Sequence, residues 1–448
     1  MFGDTIAAIA TPFGQGAVAV LRVSGPRAKA IASAVLREAH GVSGMAPRRH
    51  YLRDVVDSDG QRLDEVLVTV FDGPASYTGE DTVEISGHGG TLVTRAVFDC
   101  VLEAGARAAE PGEFTQRAFL NGKIDLTQAE AVMDLIEART DLALRASNEQ
   151  LEGRIGDQAE SLRAELIGVV AHVEAVIDFP EEDIDPDAGR ELGERIEAVI
   201  VALDSLLSTA DQGRILREGV RTVICGEPNV GKSSLMNCLL GFDRVIVSAQ
   251  AGTTRDTIEE VISLRGIPLI LVDTAGVRES TDEVERAGIE RTAKQIGEAE
   301  LVVEVVDASQ SEGEILASSD VAGKRHILIL NKSDLGVDPV WEGRGVPFSC
   351  LEGTGMARLE EAIVASIAGG DVDSWSANPL AINSRHQACF RDARRDALAA
   401  AAKLAKGETP ELVALELRSS LEAVGRVSGK VDVEEILGEI FGRFCIGK

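Results

Sequence analysis

Apolar residues change their spacing three times along this chain, and each change predicts a different kind of structure. Over roughly the first 120 residues they alternate with polar ones in short runs. "GAVAVLRVSG" (Gly16–Gly25), "DEVLVTVF" (Asp64–Phe71) and "DTVEISG" (Asp81–Gly87) are rich in β-branched residues and bounded by Gly, Pro or Asp, the pattern of half-buried strands. "TLVTRAVFDCVLEAG" (Thr91–Gly105) reads as a helix ending at its glycine. From about Lys123 to Gly213 the spacing turns helical. Ile155, Ala159, Leu162, Leu166, Val169, Val173 and Val176 recur in a three-four alternation, and Leu192, Ile196, Val199, Leu203 and Leu206 repeat it. Between the two runs, "DFPEEDIDPDAG" (Asp178–Gly189) reads as a solvated acidic connector.

From Val220 to about Gly369, "VRTVIC", "IPLILVD", "LVVEVVD", "HILILN" and "VPFSC" alternate with helical stretches, which predicts a doubly wound parallel sheet. "DVDSWSANP" (Asp371–Pro379) reads as a linker. Helix then returns and closes with Val433, Ile436, Leu437, Ile440, Phe441 and Phe444 on one face. The expected organisation is multidomain, α/β plus all-α: an N-terminal α/β domain (1–121), a helical domain in two parts (122–217 and 379–448), and a doubly wound domain (218–378) inserted between them.

Composition narrows the setting. Aromatic residues make up only 4% of the chain, so its cores must be built mainly from Ala, Val, Leu and Ile. A net charge of −29 opposes nucleic-acid binding over most of the surface, because that affinity comes from cations neutralising phosphates. Any such contact is confined to a local site or supplied by a partner. The six cysteines lack the paired spacing of a disulfide framework or zinc site, which points to free thiols in a reducing compartment. No apolar stretch approaches eighteen residues, and the expectation is a cytoplasmic protein with no membrane contact.

The chemistry begins at "GEPNVGKSS" (Gly226–Ser234), which follows a strand, opens a helix and matches the phosphate-loop pattern. Such a loop turns its N–H groups inward around phosphates, and the helix N-terminus adds its positive end. Asn229, Val230, Gly231, Lys232, Ser233 and Ser234 are the expected contacts. Lys232 would meet the β- and γ-phosphates, and Ser233 would ligate magnesium. "DTAG" (Asp273, Thr274, Ala275, Gly276) caps a later strand, where an acidic group suits magnesium and a glycine senses the γ-phosphate. "GTTRD" is a candidate switch loop, with Gly252, Thr253 and a magnesium-closing Thr254. In "NKSD", Asn331 and Lys332 frame Asp334, whose carboxylate can accept both N–H donors of guanine. Ser349 and Cys350 stand where a guanine-contacting loop is expected. Together these segments specify a GTPase. The position of the water-orienting glutamine of Ras-type proteins holds Val277 instead; Arg255 and Arg278 lie near the switches, as catalytic groups or as surface ion pairs.

Beyond these motifs the chain resembles the MnmE (TrmE) family of tRNA modification GTPases over essentially its whole length. The resemblance rests on "SYTGEDTVEISGHGG" (Ser76–Gly90), "PGEFTQRAFLNGKIDLTQAEA" (Pro111–Ala131) and the terminal "FCIGK". It implies an N-terminal domain that binds 5-formyl- or 5,10-methylene-tetrahydrofolate and forms a homodimer. It also implies a flavoprotein partner, MnmG (GidA), with which the family modifies carbon 5 of the wobble uridine of tRNA. Folate contacts fall on Arg22, Glu84 and Lys123, with Lys448 nearby. A potassium ion, replacing an arginine finger, falls on Asn229, Ser248, Gln250 and Thr253, in the nucleotide-contacting run Ser248, Ala249, Gln250 and Ala251. Glu285 matches the family's general base. Two departures stand out: Ala249 replaces an acidic residue, and Cys350 replaces the more usual Ala. A rival reading is a ribosome-assembly or signalling GTPase without folate chemistry.

Cys445 remains. "CIGK" has the outline of a prenylation box, but a final Lys and the lack of a preceding polybasic stretch argue against it. Three readings stay open: a thiolate that adds to carbon 6 of uracil, a packing residue in a tail that places Lys448 beside folate, or an incidental thiol.

Overall fold

The computed structural model describes residues 3–37, 41–42, 44–178, 186–242, 259–272, 294–311, 315–317, 319, 321–369, 375, 380–431 and 434–448. By its internal contacts the chain divides into two compact units. One joins Met1–Met133 to Gly156–Arg163 and Leu421–Lys448; the other joins Asp134–Ile155 to Ala164–Ser420.

The first unit is built on a six-stranded sheet with helices on one face. Its elements run β1 (Ile6–Ile9), β2 (Val18–Ser24), α1 (Ala28–Val35), β3 (His50–Val56), β4 (Arg62–Phe71), β5 (Thr82–His88), α2 (Thr91–Glu103), β6 (Arg107–Ala108) and α3 (Glu113–Leu120), and α4 (Leu126–Glu137) follows. The strand order is β3-β4-β5-β2-β1-β6, antiparallel except for β1 beside β6. Alternation decides what each face holds. Leu21, Val23, Val66, Val68, Val70, Val83 and Ile85 point one way and pack with Ile31, Val35, Val97 and Val101 of α1 and α2. The opposite face carries Arg22 of β2 directly across from Glu84 of β5. β1 and β3 are additions to the strands expected from the sequence; β1 is an apolar tetrad, IAAI, too short to show a period.

A charged network lies beside β1. Arg117 of α3 is fully buried and pairs with Asp4 (2.8 Å), Glu113 (2.9 Å) and Glu80 (3.2 Å). Arg107 adds bonds to Asp4 (2.8 Å) and Glu113 (2.6 Å). Ser24 donates to Glu80 and shares a 2.7 Å hydrogen bond with Thr78. Two guanidiniums and three carboxylates thereby tie the segment before β1, the loop before β5 and the start of α3 into one piece.

The second unit holds α5 (Asp141–Leu151), most of α6 (Arg154–Asp178), α7 (Pro186–Ser208), α8 (Ala210–Glu218), β7 (Val220–Cys225), α9 (Lys232–Phe242), β8 (Glu259–Leu264), β9 (Ile267–Val272), β10 (Leu301–Asp307), β11 (Arg325–Asn331), β12 (Val346–Pro347), α10 (Met356–Ala368), α11 (Ser384–Ala405) and most of α12 (Pro410–Ser428). The final helix, α13 (Glu434–Gly442), returns to the first unit. On α7 the apolar stripe Leu192, Ile196, Val199, Leu203 and Leu206 is buried. The helix starts at Pro186, inside the stretch read as connector, because proline is well suited to a helix's first turn.

The second sheet has order β12-β11-β10-β7-β9-β8. Its pairings are parallel except at one edge, where β8 and β9 form an antiparallel hairpin. Arg265 and Gly266 both adopt positive φ at its tip (48° and 84°), the geometry that lets a two-residue turn follow the strand twist. The parallel strands place their C-terminal ends on one edge, where loops gather to form a site. Among the described residues no helix is long and apolar enough to cross a membrane.

The acid response of the first unit follows from its ion pairs. Burial pushes the Glu113 carboxyl up, but hydrogen bonds from Arg107, the Glu110 amide and Arg117 hold it below its ordinary value. Asp4 is lowered in the same way, by Arg107 and Arg117 against the opposing effect of burial. In an unfolded chain such groups titrate at about 4. Their contribution is therefore complete above that range and is lost as pH falls through the depressed folded values. Protection of the β1 amides, taken relative to their intrinsic exchange rates, should fall more steeply from about pH 5 to about pH 3 in the native chain than in a Glu113→Gln, Arg117→Met double variant. Equal slopes would contradict this assignment.

Candidate functional site

At the C-terminal edge of the second sheet, β7 ends in Cys225 and the chain turns through Gly226–Gly231 into α9. Two glycines make that turn feasible. Gly226 (φ 136°) passes so close to Val305 of β10 that a Cβ would overlap its carbonyl. Gly231 (φ 103°) has the Asn331 side-chain amide where its own side chain would be. Asn229 also takes positive φ (65°), which asparagine tolerates better than most residues. Lys232 opens α9, and its Nζ donates to the carbonyls of Gly226 (3.0 Å) and Glu227 (2.7 Å). Burial lowers its pKa. Ser233 and Ser234 are exposed on the first turn.

Asn331, at the end of β11, is the bolt of this region. Its Nδ2 donates to the Val230 carbonyl (2.7 Å), and its Oδ1 accepts from the Cys350 amide (3.2 Å). One buried side chain thus joins the turn before α9 to the loop at Ser349 and Cys350. Asp334 accepts from the Ser349 hydroxyl (2.5 Å), and the Ser333 amide donates to Phe348 (3.1 Å). The Lys332 ammonium binds Asp307 at 2.6 Å; burial raises that carboxyl's pKa, and the bonds from Lys332 and Ser309 more than reverse it. Asn229, Val230, Gly231, Lys232, Ser233, Ser234, Asn331, Lys332, Asp334, Ser349 and Cys350 are therefore brought to one edge. Ser248, Ala249, Gln250, Ala251, Gly252, Thr253, Thr254, Asp273, Thr274, Ala275, Gly276 and Glu285 lie outside the described residues. Among the described residues, no group of three or more His, Cys, Asp or Glu could hold a metal.

The first unit carries a separate constellation. Arg22 Nε and Nη2 reach the same oxygen of Glu84, at 2.9 and 2.8 Å. Its guanidinium carbon lies 5.5 Å from the Tyr77 ring centre and 5.7 Å from that of Phe114. Its Nη1 donates to the Gly447 carbonyl at 3.4 Å. Each of these contacts is modest: an aromatic contributes ~0.5–1 kcal/mol and a part-exposed ion pair ~0.2–1 kcal/mol. Arg22 is oriented by their sum. Burial raises the Tyr77 pKa, and its hydroxyl bonds Thr115 at 2.9 Å.

The chain's last residues are seated on this unit. Phe444 is buried with Phe441, Leu437 and Leu126. The Gly112 amide donates to the Cys445 carbonyl (3.4 Å), and the Phe114 amide to the Lys448 carbonyl (3.1 Å), so the opening turn of α3 grips the tail by its backbone. Gly447 (φ 99°) rests on β1, where an added Cβ would come within 2.9 Å of the Ile9 carbonyl and 3.0 Å of Ala10 Cα. Cys445 and Ile446 face solvent; Lys448 is half-buried. Arg22, Glu84 and the tail therefore converge. Lys123 is engaged with a loop: its Nζ donates to the Pro74 carbonyl (2.9 Å) and its stem lies against Gly79, bracing the loop that bears Tyr77. Tyr77 and Phe114 join the site without a motif of their own, although both lie in the segments that carry the resemblance.

Family comparison agrees over both units. The model for the MnmE helical domain matches residues 126–445, and that for the N-terminus of the GTP-binding protein TrmE matches residues 5–123. A tRNA modification GTPase MnmE of Akkermansia muciniphila is 51% identical over 445 residues, 99% of each chain. That of Geobacter sulfurreducens is 46% identical over 455 residues, again 99% of each, and that of Roseiflexus castenholzii 43% over 471 residues, all of both chains. With a guanine-nucleotide edge on one unit and matches that run from end to end, the chain belongs to the MnmE family of tRNA modification GTPases.

Proposed function

We propose that this chain is a potassium-activated GTPase which, as a homodimer with the flavoprotein MnmG, modifies carbon 5 of the wobble uridine of tRNA using a folate one-carbon unit. The observation that carries the folate half is the meeting of Arg22, Glu84 and the terminal tail on one sheet face. A flat pterin with amide-like donors and acceptors suits the Glu84 carboxylate, and Arg22, with Tyr77 and Phe114 beside its guanidinium, suits its carbonyl or glutamyl groups. Lys123 and Lys448 would extend that anion contact. When bound, the folate supplies the one-carbon unit.

For the nucleotide half, Asp334 would accept the two N–H donors of guanine while Ser349 holds its carboxylate in plane. Lys232 would exchange two backbone carbonyls for phosphate oxygens, and α9 would direct its positive end at the same charge. Ser233 and Thr254 would ligate magnesium. Asn229, with Ser248, Gln250 and Thr253, would hold potassium where another GTPase presents an arginine, and Glu285 would act on the attacking water. GTP turnover should be at least tenfold faster in potassium than in sodium at equal ionic strength, a difference of ~1.4 kcal/mol in barrier. Equal rates would remove the cation from the account.

Cys445 is exposed, between the buried Phe444 and the solvent-facing Ile446. We assign it the attack on carbon 6 of uracil, which makes carbon 5 nucleophilic toward the one-carbon unit. The Gly447–Arg22 contact favours a second role in which the tail chiefly positions the folate site. Nucleoside mass spectrometry of tRNA from a deletion strain separates these roles. The carbon-5 modification should vanish on deletion, return with the native gene and fail to return with Cys445→Ser. Recovery with Cys445→Ser would leave only the positioning role, and unmodified behaviour on deletion would favour a ribosome-assembly GTPase.

A further inference from the structure

Two cysteines meet beneath the nucleotide edge. Cys238 lies on α9, six residues after Lys232, and its Sγ reaches the Cys350 carbonyl at 3.7 Å. Cys350 follows Ser349, and its Sγ lies 4.0 Å from the Gly231 carbonyl of the phosphate loop. Both thiols are half-buried and pack against the same core. Burial is the largest cause of a Cys350 pKa pushed up to about 12, and the neighbouring Cys238 adds to it. Cys225 is a poor competitor, being buried in β7 with its thiol directed at Val303.

We propose that Cys238 and Cys350 are a dithiol modification site, oxidised by hydroperoxides to a disulfide that fastens α9 to the guanine-contacting loop and weakens nucleotide binding. Cys238 attacks the peroxide oxygen, because the Cys350 thiol resists ionisation. A sulfur–oxygen bond forms, the oxygen–oxygen bond breaks, and the departing alkoxide takes the thiol proton. Cys350 then attacks the Cys238 sulfenic acid; its proton leaves with the hydroxide as water. Two thiols and one hydroperoxide give one disulfide, one alcohol and one water, so the sulfurs lose two electrons and the peroxide gains them.

The consequence follows from the bolt at Asn331. A disulfide needs its sulfurs about 2.05 Å apart, closer than any non-bonded contact. Closing that gap draws the Cys350 side chain from Gly231 toward α9. The Cys350 amide moves with it, and that amide is the anchor Asn331 uses to join the base loop to the Val230 turn. Guanine recognition and phosphate cradling then lose their common support.

This inference rests on the reading of this edge as the GTP site, and reduced protein that binds no GTP would refute that reading by itself. In the test, the full chain is treated with hydrogen peroxide, digested and mapped for a Cys238–Cys350 linked peptide. GDP affinity is measured before oxidation, after it, and after a thiol reductant. The expected result is the linked peptide, at least a tenfold loss of affinity, and recovery on reduction. Cys238→Ser should bind GDP like the native chain and keep its affinity in peroxide; Cys238→Ala gives the same comparison without a hydroxyl. Phenylarsine oxide, which bridges paired thiols, should stay on the reduced native chain and wash off Cys238→Ser. Linkage only to Cys445, no linkage in the folded protein, equal arsenical retention, or a disulfide that leaves affinity unchanged would each overturn the proposal.

Discussion

A guanidinium with no access to water has to be neutralised where it stands, and Arg117 imposes that condition on the whole first unit. Its partners come from three places: Asp4 before β1, Glu80 in the loop before β5, and Glu113 one turn earlier on α3. Removing one partner from such a cluster costs about 3–5 kcal/mol, comparable to much of a domain's net stability. The loop and helix are therefore not free to drift. That same loop carries Tyr77, and that same helix carries Phe114 and the amides that hold the tail. The site around Arg22 inherits its geometry from a network that does not touch it.

The second unit solves a related problem with a neutral group. Asn331 is buried and has both its amide nitrogen and its oxygen engaged, one with the phosphate loop and one with the base loop. A buried carboxylate there would need a cation, and an apolar residue would leave Val230 and Cys350 without partners. An amide satisfies both at once. It also means that the Val230 turn and the Cys350 loop share one support.

The turn from β7 into α9 was legible because its signal is local: glycines at fixed spacing, then a lysine, then a helix. The parallel strands were legible because buried strands are short apolar runs. The β8–β9 hairpin escaped the periodic reading, although Arg265-Gly266 between two β-rich runs was its available signal. The start of α7 at Pro186 was hidden by acidic residues that read as a connector. Arg22 and Glu84 were placed by resemblance, and their pairing is a matter of strand register, which no single segment reveals. Arg117 could not be told from a surface arginine, because its burial depends on Asp4, more than a hundred residues away.

The central claim is that the terminal tail, seated on β1 and α3, completes a folate site with Arg22 and Glu84. The most direct measurement is the affinity of the full-length chain for 5-formyltetrahydrofolate, compared with Gly447→Val, whose side chain would collide with the Ile9 carbonyl and cannot readily hold the native φ. The account predicts at least a tenfold weaker folate affinity with GTP affinity unchanged. Equal folate affinity in the two proteins would contradict it.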